Sequence, residues 1–274
     1  DDCSEDDTEG LIKGFKKKYP HILTIYIKQK KRQGAAKARN IGFKHCSSPY
    51  IFYGEDDVIL GENYCSTLLS KLQKASEIAV MSGRIIHMKG EETIAKALER
   101  FGNGLNSKPL YSPYLFLMNP DANFQGDKDV PLTHAVMMTR RGLLEKYSYD
   151  ECYCRGNGFR EESTFQARAF VKGHRIVMTN ETHCYHLHRN KVQDGGQRCN
   201  VVKVFFWKVY YNNKFLNSFY EGYKKRLNLK RPCIFAKALF WWKSFFDLFY
   251  QIIPPKTRSV MGRVKRKILG NIES

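Results

Sequence analysis

The chain has 274 residues, enough to bury a substantial core, and its 42% hydrophobic and 27% charged content excludes a disordered protein. The formal net charge of +19 predicts attraction to polyanions: nucleic acid, anionic lipid or a phosphate-bearing substrate. The eight cysteines include no Cys-x-x-Cys pair, which argues against a zinc site and favours free thiols in a reducing cytosol.

The positive charge is concentrated near the end of the chain. Residues 200–274 contain 16 Lys and Arg against 3 Asp and Glu, and so hold 13 of the 19 net positive charges. This distribution predicts a near-neutral body, residues 1–198, followed by a basic helical tail, residues 199–274.

The first ninety residues alternate between predicted helices and strands. Helices are indicated by apolar residues on one helical face, and strands by β-branched and aromatic runs. In chain order the elements are a helix over 8–19, a strand over 22–27, a helix over 35–45, a strand from residue 51, a helix over 63–74 and a strand over 78–88. This alternation predicts a doubly wound α/β domain with a largely parallel sheet.

The remainder of the chain is less regular at first. Residues 91–129 contain Gly, Asn and Pro throughout, which predicts loops and short helices over one edge of a site. The later predicted elements are a strand over 135–139, helices over 141–147 and 161–172, extended segments over 174–179 and 182–188, a flexible loop over 193–198, and aromatic, basic helices over 201–219 and 233–253.

Three consecutive acids, Glu55, Asp56 and Asp57, follow the apolar strand that begins at residue 51. Hard cations such as Mg²⁺ and Mn²⁺ prefer oxygen ligands, and adjacent carboxylates that repel one another are stabilised by a cation. The local pattern fits an exposed acidic turn equally well, so these residues alone leave both interpretations open.

Four segments, in order, resemble a family-2 glycosyltransferase of the GT-A fold. The opening DDCSEDD is similar to the family's Asp-Asp-Gly-Ser-x-Asp segment, and QGAAKARNIGF to its Gly-x-x-x-Ala-Arg-Asn helix. The segment YIFYGEDDVI is similar to its DxD strand, and GNGFREEST to its acceptor-side helix with paired acids. Cys3 replaces the usual Gly and Glu55 the usual first Asp. The family's first strand and first helix are not seen, so we expect the chain to be N-terminally incomplete.

The resemblance covers residues 1–188 and implies a fold and a reaction. The fold is a GT-A, Rossmann-like, mostly parallel sheet flanked by helices. The reaction is an inverting, metal-dependent transfer of hexosyltransferase type from a nucleotide-sugar, most simply a UDP-sugar, to the hydroxyl of a saccharide or lipid-linked acceptor. The implied cofactor is Mn²⁺ or Mg²⁺.

The resemblance also implies roles for particular residues. The predicted metal ligands are Asp57, Glu55 and His186, with His188 as the alternative histidine on the same strand face. The predicted nucleotide-sugar contacts are Asp2, Arg39, Glu55, Asp56 and, in a loop resembling a mobile lid, Arg198. Other readings stay open: Asp2 as a helix-start acid, Arg39 in an ordinary salt bridge, either histidine as structural, and residues 193–198 as a plain linker.

The paired acids Glu161 and Glu162 begin a predicted helix. The resemblance implies that one of them is the general base that accepts the acceptor's proton, and it favours Glu162 as the second acid of the pair. The alternative is that both acids simply stabilise the helix start, where negative charge suits the helix dipole.

The basic tail carries the prediction about location. Residues 234–253 are rich in Phe and Trp but contain Lys237, Lys243 and Asp247, which favours an in-plane interfacial helix over a spanning one. We therefore expect a cytoplasmic enzyme, peripheral at an anionic membrane surface, with no nucleic-acid partner. The alternatives are a helix packed on the body, an oligomer contact, a catalytically inactive or fragmentary membrane-associated relative and, less favoured, a basic nucleic-acid-binding protein.

Overall fold

The computed structural model of the chain describes residues 1–101, 108–120, 122–156, 158–188, 191–192 and 200–252. Its helices are α1 (Thr8–Lys18), α2 (Ala35–Lys44), α3 (Tyr64–Lys74), α4 (Ile94–Phe101), α5 (Arg141–Lys146), α6 (Glu161–Val171), α7 (Val201–Leu227) and α8 (Cys233–Ile252). Its strands are β1 (Tyr50–Tyr53), β2 (Val58–Leu60), β3 (Ile78–His87), β4 (Tyr111–Ser112), β5 (Leu117–Met118), β6 (Asp127–Asp129), β7 (Met137–Arg140) and β8 (Arg175–His186).

The central sheet has the strand order β1-β7-β3-β8-β2, and β6 pairs with the first half of β8. The long strands β3 and β8 are parallel, and the other described pairings in this sheet are antiparallel. The α/β class and the helical C-terminal region predicted from the sequence are confirmed, with mixed strand directions in the sheet. The antiparallel strand β6 comes from the irregular stretch over 91–129, where no periodic pattern marks it.

A break in the pairing of β3 with β8 sets the position of the C-terminal half of β8. The register shifts between residues 82 and 84, and Gly83 lies at the shift. A Cβ on Gly83 would lie 2.4 Å from the ring of Tyr64 and 2.7 Å from the carbonyl oxygen of Thr182, so only glycine fits here. Beyond the break the strands pair again, which brings His186 of β8 opposite His87 of β3.

The predicted strand over residues 22–27 is wrong. The segment belongs to neither sheet, and its end is held by the first residue: the amino group of Asp1 donates to the carbonyl of Ile27 at 3.0 Å. Its apolar side chains find no covering layer among the described residues, since Leu23 and Ile25 are exposed. The β-branched pattern is present, but no burial accompanies it, and burial is what stabilises a strand with this pattern.

Helix α7 packs on the body through one face. Phe215 and Tyr223 lie in the main hydrophobic core together with Phe116 and with Phe165 of α6. The division at residue 198 into a body and a separate tail stays a prediction, but α7 shares the core of the body. Within the described residues, no helix combines the length and the apolar character that crossing a bilayer requires.

A buried arginine joins α7 to the start of α6. Arg160 immediately precedes α6 in a left-handed conformation with φ of 73°, and its side chain is buried. Its guanidinium donates to the side-chain oxygen of Asn212 at 2.7 and 3.1 Å, and also to the backbone carbonyls of Leu115 and Phe116. Burial lowers the pKa of Arg160 to about 10. The acids at the start of α6, Glu161 and Glu162, thus follow a buried guanidinium whose hydrogen bonds are completed in part by Asn212 of α7.

Replacing Asn212 with alanine is expected to destabilise the protein by about 2–3 kcal/mol, because the buried guanidinium loses an acceptor. For a chain of this size that loss corresponds to a fall in Tm of roughly 5–10 °C in a thermal unfolding scan. Asn217→Ala is the matched control, because Asn217 lies on the same helix and accepts from Lys237 at an exposed position. Equal Tm values for the two variants would contradict the role given to Asn212.

Candidate functional site

Two sheet strands end beside a cluster of possible metal ligands. Glu55 and Asp57 follow β1, and His186 closes β8; one ligand atom from each lies within 4.8 Å of the others. The Nε2 atom of His186 is 3.5 Å from a carboxylate oxygen of Asp57, and the amide of Leu187 donates to the Asp57 carbonyl at 2.9 Å. Glu55 and Asp57 both belong to the cluster, whereas the intervening Asp56 is exposed to solvent.

The chemistry of this cluster fits a divalent cation. The Nδ1 atom of His186 lies 2.9 Å from the carbonyl oxygen of Leu187, to which an N–H there donates, and Nε2 is the ring nitrogen on the side of Asp57. Burial raises the pKa of Glu55, Arg39 opposes that rise, and the negative charges of Glu162 and Asp57 add to it. A cation held between these carboxylates would relieve their mutual repulsion.

Arg39 of α2 connects the cluster of Glu55, Asp57 and His186 to α6. Its guanidinium forms an ion pair with Glu161 and lies 3.6 Å from a carboxylate oxygen of Glu55. It also lies over the ring of Tyr149, 5.5 Å from the centroid. Burial acts to lower the pKa of Arg39, but the adjacent carboxylate of Glu161 raises it above the ordinary value. The guanidinium of Arg39 is therefore shared by two acids, Glu161 at the start of α6 and Glu55 after β1.

The paired acids at the start of α6 occupy different environments. Glu161 is buried, and burial raises its pKa to about 7 despite the opposing charge of Arg39. One oxygen of Glu161 contacts Arg39, and the other, Oε2, has no hydrogen-bond partner among the described residues. Glu162 is half-buried, and its carboxylate accepts from the hydroxyl of Ser163 at 3.1 Å. Glu162 is the more accessible carboxylate.

Asp2 is not one of the three clustered residues, and it holds the loop before α2. One of its carboxylate oxygens accepts from the side chain of Gln29 at 2.8 Å and from the amide of Gln33 at 2.7 Å. The other oxygen accepts from the amide of Gly34 at 2.8 Å. In this structure the carboxylate of Asp2 orders the turn that leads into the helix carrying Arg39.

The two remaining predicted residues are His188 and Arg198. His188 is half-buried just beyond β8 and is not a member of the metal cluster found among the described residues. Arg198, with the loop over residues 193–198, lies outside the described residues. The structure thus brings together Glu55, Asp57, His186, Arg39 and the α6 acids. Asp56 is exposed, and Asp2 is hydrogen-bonded to the loop before α2.

Sequence reasoning missed several neighbours of the cluster. The rings of His87 and His186 lie 5.0 Å apart, and the half-buried His134 has its pKa lowered to about 4 by desolvation. The hydroxyls of Tyr53 and Tyr149 are buried without a hydrogen-bond partner in the described chain, and their rings are 5.3 Å apart. His87 is identified only by the register of β3 with β8. Tyr53 lies two residues before Glu55, so its place in the sequence already indicated that it is near the acids.

Comparison with known proteins gives a family and a fold. The profile of Glycosyl transferase family 2 matches residues 1–148, which is more than half of the chain. The search of curated proteins finds no match.

Several solved structures have a similar fold at low sequence identity. GalNAc-T7, crystallised with UDP, GalNAc and Mn²⁺, is 15% identical with a TM-score of 0.51; the match covers 69% of this chain, which spans only 37% of that protein. Staphylococcus aureus TarS 1–349 with UDP-GlcNAc is 13% identical with a TM-score of 0.51, covering 99% of this chain and 78% of that one. The mannosyltransferase PcManGT from Pyrobaculum calidifontis, with GDP-Man and Mn²⁺, is 11% identical with a TM-score of 0.50, covering 98% and 70%.

Proposed function

Since the chain belongs to glycosyl transferase family 2, we propose that it moves a sugar from a nucleotide-sugar donor to an acceptor hydroxyl. The family, the GT-A fold and the class of enzyme predicted from the sequence are confirmed. The observation that carries the proposed reaction is the cluster of Glu55, Asp57 and His186, placed beside Arg39 and the α6 acids.

The proposed metal ligands are Glu55, Asp57 and His186. A divalent cation bound there supplies positive charge for the diphosphate that departs from the sugar. The imidazole ligand favours Mn²⁺ over Mg²⁺, because Mg²⁺ strongly prefers oxygen ligands. Two of the similar structures contain Mn²⁺ together with a nucleotide or nucleotide-sugar, which supports this choice of cation.

The proposed general base is Glu162. Glu162 is half-buried, and its negative charge helps to raise the pKa of Glu55. Its carboxylate therefore lies close enough to the proposed metal ligands to act on an acceptor bound beside them. Glu161 is occupied by its ion pair with Arg39 and is proposed as a positioning residue. A base that removes the acceptor's proton on the face opposite the departing diphosphate gives a single displacement, and hence inversion at the anomeric carbon.

The remaining contacts to the donor belong to the same proposal. Asp56, exposed next to the cluster, is free to meet the ribose or the sugar, and Arg198 is proposed to reach the diphosphate. Asp2, whose carboxylate orders the loop before α2, is proposed to contact the base or the ribose. UDP-sugars are the first donors to test, and GDP-mannose is the second, because the similar structures hold donors of both kinds.

The proposed acceptor is a saccharide hydroxyl, most simply one carried on a lipid. The concentration of 13 net positive charges in residues 200–274 supports an encounter with an anionic membrane surface on the cytoplasmic side. The same charge would also attract nucleic acid. Against that partner, the aromatic residues of α7 and α8 cluster as apolar helical faces, and the sequence has no recognised nucleic-acid-binding motif.

The proposed function is tested by incubating the full chain with a panel of UDP-sugars and GDP-mannose and measuring release of the nucleoside diphosphate. We expect release with at least one donor, loss of release on adding EDTA, and recovery with Mn²⁺ in excess. Heat-denatured protein is the control for spontaneous hydrolysis. An absence of release with every donor, or release that EDTA leaves unchanged, would contradict the proposal.

A further inference from the structure

Helix α8 is apolar on two opposite faces, and only one of them is covered by the described chain. The covered face contributes Leu239 and Phe240, which pack with Leu115, and the ring of Phe240 lies 5.4 Å from that of Phe159. The outward face exposes large apolar side chains: Ile234, Trp241, Trp242, Phe245, Phe249 and Ile252. We call these six residues the outer α8 face.

The outer α8 face forms one continuous stripe. Apart from the adjacent Trp241 and Trp242, its members follow one another at intervals of three, four or seven residues, so they line the side of the helix opposite the buried residues. The rings of Trp241 and Phe245 stack nearly parallel at 5.5 Å, and those of Phe245 and Phe249 at 6.4 Å. Trp242 is 53% exposed and Ile234 is 69% exposed. An ordered apolar ridge of this kind on a surface indicates a binding face.

The charged side chains of α8 do not interrupt this face. Lys243 and Asp247 form an ion pair of 2.6 Å with each other, one helical turn apart and away from the stripe. Lys237 donates to Asn217 of α7 at 2.5 Å. The stripe is therefore uncharged along the length of the helix.

Basic residues flank the helix in sequence. Lys230 and Arg231 are exposed just before α8, and residues 253–274 contain six Lys and Arg against one acid. Two copies of this region brought face to face would repel each other, whereas an anionic surface would attract both ends of the helix. The charge thus favours an anionic lipid bilayer over a second copy of the chain.

We propose that the outer α8 face lies in the plane of an anionic membrane, with its aromatic side chains in the headgroup region and Lys230 and Arg231 on lipid phosphates. Trp and Phe are suited to this depth, because their rings are apolar and rigid and the indole N–H can meet the interface. Twenty helical residues laid flat would cover roughly 30 Å of the surface. The buried face keeps the catalytic body attached, so a lipid-linked acceptor would meet the site at the bilayer.

The test is co-sedimentation of the full chain with vesicles of phosphatidylcholine alone and of phosphatidylcholine with 30% phosphatidylglycerol. We expect binding to the anionic vesicles, weaker binding in 0.5 M NaCl, and little binding to the neutral ones. The triple variant Trp241→Ser, Trp242→Ser, Phe245→Ser is expected to bind the anionic vesicles on the order of 100-fold more weakly. Leu11→Ser with Leu23→Ser is the matched control, since both residues are exposed and distant in sequence from α8.

Several results would overturn this proposal. Vesicle binding would contradict it if the wild type did not bind anionic vesicles, or bound neutral vesicles equally well. The variants would contradict it if the control lost as much vesicle binding as the triple variant, or if the triple variant were folded by circular dichroism and still bound as wild type. A concentration-dependent dimer in sedimentation velocity that the triple variant abolishes would instead make the face an interface between copies. Vesicle binding is read without any donor, so it fails or succeeds independently of glycosyl transfer.

Discussion

Replacing Asp57 with asparagine is expected to lower kcat/KM for the nucleotide-sugar by roughly 100- to 1,000-fold, or about 3–4 kcal/mol of transition-state stabilisation. The substitution removes a carboxylate from the cluster with Glu55 and His186 and leaves the size of the side chain unchanged. The measurement is the initial rate of nucleoside diphosphate release at several Mn²⁺ concentrations. Raising Mn²⁺ should recover part of the lost rate, because the weakened site fills at higher metal concentration.

Asp56→Asn is the matched comparison for that variant. Asp56 is the adjacent acid, it is exposed, and it is not a member of the cluster. We expect a loss at least tenfold smaller than for Asp57→Asn, without a changed dependence on Mn²⁺. If the two variants lost activity equally, the acidic segment would act through its total charge and not as a coordinated site.

Replacing Glu162 with glutamine is expected to lower kcat by roughly 100- to 10,000-fold, since a general base supplies a rate factor of this size. The donor KM and the dependence on Mn²⁺ should change little, because Glu162 is not one of the three clustered ligands. The measurement is a full kinetic analysis with saturating donor and acceptor, accompanied by circular dichroism to verify folding.

Glu161→Gln separates the two acids. Glu161 is held in a buried ion pair with Arg39, which in turn lies near Glu55. We expect this variant to weaken Mn²⁺ binding and thermal stability, and to lower kcat less than Glu162→Gln does. The reverse order of kcat values would assign the base to Glu161 and contradict the role given to Glu162.

The cluster of Glu55, Asp57 and His186 shows what local sequence can predict. Glu55 and Asp57 follow a short apolar strand, and clustered acids at the end of such a strand are recognisable in the sequence as candidate oxygen ligands for a hard cation. The C-terminal half of β8 was equally visible, so the sequence proposed His186 as the third ligand. The resemblance to the family then favoured a metal site over an acidic turn, two interpretations that the pattern alone left open.

The parts of the site that sequence could not reveal depend on distant pairing. His87 lies beside His186 only because β3 and β8 are parallel in a particular register beyond Gly83. Arg160 meets Asn212, 52 residues later, through a left-handed backbone conformation that no local pattern marks. The strand predicted over residues 22–27 failed for a related reason: a β-branched run forms a strand only where a neighbouring strand and a covering layer exist.

The most direct test of the metal site is a titration of the full chain with Mn²⁺, followed by the electron paramagnetic resonance signal of the free ion. We expect one site per chain that UDP tightens, and we expect Asp57→Asn to weaken Mn²⁺ binding at this site strongly while Asp56→Asn retains it. Mn²⁺ binding that is absent in the wild type, or equal in the wild type and Asp57→Asn, would contradict the assignment of Glu55, Asp57 and His186 as the metal centre of a glycosyltransferase.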